Sequence, residues 1–150
     1  MSRSGYREDD GDNNWSLIMW RGAVNSAIKG KRGQAFLREM LAAMDAMPVK
    51  RLVAEELAAP DAVTCSHWGM FETESVCAIG SVGKVRGVDM HGLDPYDYSS
   101  VAGKFGIAEA LAREIVWEND EAGPWKETPE QRFVRVRKWI VSQIKPDVGT

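Results

Sequence analysis

Cysteine and histidine are scarce in this chain, with two of each among 150 residues. Two cysteines, Cys65 and Cys77, cannot build a disulfide framework, which excludes the small stapled scaffolds of secreted proteins. Together with His67 and His91 they offer four zinc-ligand types. Their order, C-x-H, then nine residues, C, thirteen residues and H, matches no zinc knuckle or finger. Neither Cys–His pairing carries the local signature of a cysteine nucleophile. No metal, cofactor or catalytic residue is assigned on these grounds, and the expectation is a protein that is not an enzyme.

Long apolar runs are also lacking. No stretch approaches the roughly 18–20 continuous apolar residues of a membrane span, so no membrane partner is expected. The opening MSRSGYREDDGDNN has no apolar h-region, and a reducing cytoplasm is the expected setting. Nucleotide fingerprints are missing as well. The RGAVNSAIKGKRGQAFLR stretch (21–38) holds no G-x-x-x-x-G-K-[S/T], and Gln34 stands after Gly33, where no hydroxyl is available for magnesium. It holds no G-x-G-x-x-G either.

Charge of one sign is missing over whole segments. Trp15–Arg38 has five cations, Arg21, Lys29, Lys31, Arg32 and Arg38, and no acid. Glu39–Thr128 has seven cations against sixteen acids, and Pro129–Pro146 returns to five cations against Glu130 alone. Two readings follow: basic helices lie over acidic ones within the molecule, or a basic surface receives a phosphate, a nucleic acid or an acidic partner. Six tryptophans exceed what a core of this size uses, which places one or two on a contact surface.

What is present is mostly helical periodicity. Residues 1–14 are polar and aperiodic and read as a disordered tail ahead of one globular domain, 15–146. Leu17, Trp20, Val24, Ala27 and Ile28 recur at helical spacing over about 15–29, and Gly30 and Gly33 break that helix. A second helix over about 33–47 carries Phe36, Leu37, Met40, Leu41 and Met44 on one broad face and stops at Pro48. A short glycine link between them predicts an antiparallel helical hairpin. A β-hairpin with a long tip is expected over 51–80, packed on the helices because two strands are not stable alone. Asp94 and Pro95 suggest the cap and first turn of a short helix, and a further helix is expected over about 106–118. Thr128, Pro129 and Gln131 spell a capping box for the last helix, with Phe133, Val136, Ile140 and Ile144 as its buried stripe. The expected class is α+β, mostly helical.

Three stretches invite chemistry. Gly30-Lys31-Arg32-Gly33 puts two cations and free backbone N–H groups at a helix start, which favours an anion. CAIGSVGKVRG (77–87) reads as a phosphate-facing glycine turn or as glycines at i, i+3 allowing close packing, and packing is favoured. In WENDEAGPWKE the acids lack the alternate-position order of a calcium loop, and Asn119-Asp120 reads as a helix C-cap and turn. Arg135, Lys138 and Lys145 form a secondary basic face on the last helix, beside Trp139.

SVCAIGSVG followed by IVWENDEAGPWKETPEQRF resembles a pattern in short uncharacterised proteins of bacteriophages, prophages and bacteria. The first helical pair and FGIAEALAREI also look like such proteins, over roughly 15–57 and 74–140 in all. The resemblance implies a small accessory protein and brings no activity or catalytic residues. Cys77, Gly80, Trp117, Asn119 and Asp120, its motif positions, read equally as structural or functional. The expected function is binding of a host protein, with anti-defence action a candidate role, through Arg21, Lys29, Lys31, Arg32, Gly33 and Arg38. The alternative is a nucleotide or cyclic-oligonucleotide sponge or sensor; nucleic-acid binding is third, and an oligomer is allowed.

Overall fold

The computed structural model describes residues 14–60, 64–66, 69–71 and 74–146. The tail expected over 1–14 falls outside them except for Asn14. Six helices account for most of the described chain. Helix α1 (Asn14–Lys29) and α2 (Lys31–Asp45) are separated by Gly30 alone, the extended N-cap of α2. Gly33 therefore lies inside the first turn of α2 and does not break the chain, a correction to the expected start at 33. The reason is packing. A Cβ on Gly33 would fall 1.8 Å from the Ala27 carbonyl oxygen, so glycine lets the two helices touch backbone to backbone.

The region expected as one β-hairpin over 51–80 divides differently. Residues 51–57 are irregular and 77 begins the approach to a helix. Short strands β1 (Ala58–Pro60) and β4 (Glu74–Val76) pair antiparallel, as do β2 (Thr64–Ser66) and β3 (Gly69–Phe71). Helix α3 (Ala78–Arg86) follows at once, where the sequence suggested a strand running into glycines. Cys77 caps it, its Sγ accepting from the Gly80 N–H at 3.3 Å. Gly80 and Gly83 do serve packing. A Cβ on Gly80 would lie 1.9 Å from the Leu57 carbonyl oxygen, and Gly83 faces Met90 and Phe105.

Helix α4 (Tyr98–Phe105) is capped by Asp97, not by Asp94. Asp94 instead accepts from the Tyr96 N–H at 2.9 Å, a local turn one step upstream. Helix α5 (Glu109–Asp120) is followed by α6 (Pro129–Gln143), which has the expected capping box of Thr128 and Gln131 with Pro129 in its first turn. The core joins all six helices through Val24, Leu37, Val82, Phe105, Ile115 and Ile140, each 2 % exposed or less. Helix α2 lies against α1, α3 and α6, while α5 lies against α1, α3, α4 and α6. No helix among the described residues is long and apolar enough to cross a membrane.

Candidate functional site

The two basic ends of the chain meet at one corner, and Gln34 is the residue that joins them. Its side chain is buried at the start of α2. Its Nε2 donates to the Ile28 carbonyl at the end of α1 (2.8 Å) and to the Gln143 carbonyl at the end of α6 (3.0 Å). Its Oε1 accepts from the Lys145 N–H at 2.8 Å. One amide thus satisfies backbone groups that two helix ends leave without intrahelical partners.

The cations of the corner divide into two kinds. Lys145 Nζ donates to the Lys29 carbonyl (2.9 Å) and Arg38 Nη2 donates to the Lys145 carbonyl (2.7 Å). Both charges lie against carbonyls at a helix C-terminus, Lys29 the last residue of α1 and Lys145 two residues past α6, where the helix dipole favours a cation. Lys29, Lys31 and Arg32 are exposed, and among the described residues none of the three has a carboxylate partner. They surround the first turn of α2, whose N-cap Gly30 brings no side-chain hydrogen bond to the free N–H groups.

The other expected residues are placed elsewhere. Arg21 lies toward α5, with Nη1 3.6 Å from the Glu114 carboxylate, itself 1 % exposed, and its guanidinium over the Trp20 ring at 5.3 Å. Gly33 is a packing residue. Arg135 does not belong to an outer basic face. It donates to Glu127 at 2.6 and 3.0 Å and to the Glu118 carbonyl at 2.7 Å, closing the end of α5 against α6. Lys138 stays exposed. Of the secondary face, then, Lys145 joins the corner, Lys138 stands by itself on α6, and Arg135 is engaged inside.

Much of the charge segregation is therefore settled between helices. Arg137 meets Asp45 at 2.7 and 3.0 Å and holds that carboxyl below its ordinary range through the hydrogen bonds. Arg86 does the same to Glu39 at 2.7 and 2.6 Å. Among the described residues these pairs leave Lys84, Lys104, Lys126 and Lys138 exposed singly, and Lys29, Lys31 and Arg32 exposed as one cluster around the start of α2.

The motif segments of the resemblance also converge, and the contact is structural. Asn119 is 2 % exposed; its Oδ1 accepts from the Ala78 N–H (3.1 Å) and its Nδ2 donates to the Val53 carbonyl (2.8 Å). It was expected to cap its own helix. Instead α5 runs on through Asp120, and Asn119 satisfies the first N–H of α3. Asp120 accepts from the Tyr96 hydroxyl at 2.9 Å, and burial together with that carboxylate raises the Tyr96 phenol well above its ordinary range.

No protein-family model, curated protein or solved structure matches this chain. The site is read from its own chemistry.

Cys77 illustrates that reading. Burial pushes its thiol up to about 12, so at pH 8 about one thiol in ten thousand is thiolate. In a Cys65→Ser variant, a disulfide reagent at pH 8 is expected to leave the native protein unmodified over an hour and to react fully in urea. Rapid reaction of the native protein would contradict the packed cap. His67, the residue expected beside Cys65, lies outside the described residues.

Sequence reasoning passed over Gln34 and misread Asn119. Both had a signal. Gln34 shares its helical stripe with Leu37 and Leu41, and Asn119 shares one with Ala112 and Ile115. A polar residue on an apolar stripe needs buried partners.

Proposed function

We propose that this chain acts by binding, through the corner of Lys29, Lys31 and Arg32, and that its partner is an acidic protein surface. In the setting the resemblance implies, that partner is a factor of the host cell, and the chain is a phage or prophage accessory protein working in the cytoplasm. The observation that carries the reading is the contrast between engaged and exposed cations. Arg21, Arg86, Arg135 and Arg137 have carboxylates close by, whereas Lys29, Lys31 and Arg32 face solvent on a corner that Gln34 braces from beneath. A rigid, uncompensated positive surface steers an acidic partner and loses affinity with salt.

The test uses the full chain and an immobilised poly-glutamate peptide. Binding is expected to weaken at least tenfold between about 50 and 300 mM salt. The Lys31→Glu/Arg32→Glu variant should lose it with an unchanged unfolding temperature, since both side chains are exposed. Binding that survives this reversal removes the proposal.

A nucleotide reading draws on the free N–H groups at Gly30–Gly33, which suit a phosphate. Base stacking is less well served. Trp20 and Trp139 pack partly against the core, and the 96 %-exposed Trp125 lies by the start of α6, at the far end of that helix. Thermal-shift measurements with a nucleotide panel decide it, because a tight ligand of the native state raises the melting temperature. No shift with any phosphate compound ends this second reading.

A further inference from the structure

Helix α1 turns one side to the core through Val24 and Ile28, with Trp20 and Ala27 packed partly against it. Its opposite side is open. Ile18 and Met19 are 61 % and 59 % exposed, and Gly22, Ala23, Asn25 and Ser26 beyond them are exposed too. At about 100° per residue these six fall on one face. From Asn14 to Ile28 the one charged residue is Arg21, which lies toward Glu114 of α5. A helix side that meets water ordinarily carries charge. This one carries none until Lys29, at the basic corner. Its N-terminal half presents two large apolar side chains, and its C-terminal half a shallow floor of small residues.

The sequence around α1 names an occupant for that face. Residues 8–12, EDDGD, hold four acids and no cation, and Asp12 stands two residues before Asn14. Lys29, Lys31 and Arg32 stand at the other end of the helix. The 16 residues of α1 put about 22 Å between those ends. A fully extended chain gains about 3.5 Å per residue, so Asp12 reaches about 7 Å from Asn14 and Asp10 about 14 Å. The acids of one copy therefore cannot gather at its own corner.

We infer that two copies of this chain pair through antiparallel α1 helices, each lending its acidic residues 8–12 to the basic corner of the other. This rests on the binding reading of the corner and adds a second copy as an acidic partner. Antiparallel pairing sets Ile18 and Met19 of one copy over Gly22, Ala23 and Ser26 of the other. It also brings each Asn14 level with the opposite Lys29, so the acids start beside the cations they meet. The arrangement is isologous and closes at the dimer. One helix face from each copy is the size of a weak, transient interface. A dissociation constant of about 100 µM is expected, so dilute protein is monomeric. Because pairing fills the corner, an outside acidic partner competes with it.

Sedimentation velocity of the full chain at low salt, from about 10 to about 500 µM, is the test. The weight-average mass should rise from that of the monomer toward twice that value and no higher. Raising the salt to about 300 mM should weaken pairing about tenfold. Ile18→Gln/Met19→Gln should weaken it about a hundredfold or more, since each copy loses two apolar side chains from the contact. Asp9→Lys/Asp10→Lys and Lys31→Glu/Arg32→Glu should each pair about tenfold more weakly at low salt, with circular dichroism reporting an intact helical fold. An equal mixture of these two should pair more tightly than either alone, because it regains one native contact between corner and acids. A wild-type chain still monomeric at the highest concentration overturns the inference and leaves the α1 face to a different protein. Assembly past the dimer overturns it as well, as does an Ile18→Gln/Met19→Gln variant that pairs like the wild type or a mixture no tighter than its parts. In these cases poly-glutamate binding that depends on Lys31 and Arg32 leaves the binding reading standing. If reversing Lys31 and Arg32 alters neither pairing nor poly-glutamate binding, both fall.

Discussion

Gly33→Ala is expected to lower the unfolding temperature by about 10 °C, and Gly22→Ala, on the neighbouring helix, to raise it. The substitution is the same and both residues are helical, so propensity alone predicts a gain of about 0.5–1 kcal/mol at each. Their surroundings differ. A Cβ on Gly22 meets nothing within 4 Å, whereas one on Gly33 meets the Ala27 oxygen at 1.8 Å and the Ala27 carbon at 2.9 Å. Those atoms belong to backbone and cannot rotate aside, so α1 and α2 must separate. Overpacking of this kind costs about 1–3 kcal/mol, and for a chain of this length about 3 kcal/mol corresponds to the stated shift in melting temperature. Differential scanning calorimetry of the two variants checks the sign of each. A Gly33→Ala variant as stable as the wild type would show that the helices are not in backbone contact.

The second large effect is expected at Gln34. Gln34→Leu keeps the volume and removes three hydrogen bonds, leaving the Ile28 and Gln143 carbonyls and the Lys145 N–H without the partner they now share. A buried polar group deprived of its partner costs about 1–3 kcal/mol, and water reaching the corner offsets part of this, so the expected loss is about 3 kcal/mol. Gln34→Glu should cost a similar amount, because a carboxylate can accept from Lys145 but cannot donate to either carbonyl. Urea unfolding should show a lower midpoint with an unchanged slope. Hydrogen exchange at the Lys145 amide should accelerate more than exchange at the middle of α6. A loss below about 1 kcal/mol in both variants would mean that Gln34 does not hold the corner together.

Gly33 and Gln34 also show how far the sequence can be read. Glycine next to a helix start reads as a breaker, because local rules weigh backbone freedom and cannot see a neighbouring helix. Only the approach of Ala27 turns Gly33 into a helical packing residue. Glutamine after that glycine reads as a missing hydroxyl in a nucleotide motif, and its position on an apolar stripe is the one local hint of its role. The strand region was misjudged for a related reason. Residues 78–86 hold two glycines and three β-branched residues, which suggest a strand entering a turn, yet Cys77 and Asn119 supply caps that start a helix there.

The sequence by itself determined the helices and their ends where the partners are close in the chain. The capping box of Thr128 and Gln131, Pro129 at the first turn and the Phe133–Val136–Ile140 stripe all act across seven residues or fewer, and each is where periodicity and capping chemistry put it. Tertiary structure alone decided which polar and charged residues remain for function. Gln34 finds two of its three partners 109 and 111 residues away, and Asn119 finds two of its own 41 and 66 residues away. Segregated charge becomes salt bridges at Arg135 and Arg137 and remains exposed at Lys31 and Arg32, and that division depends on which helix faces each cation. Capping and periodicity are short-range forces written into neighbouring residues, whereas charge compensation and buried hydrogen bonding depend on residues that only the packed fold brings together.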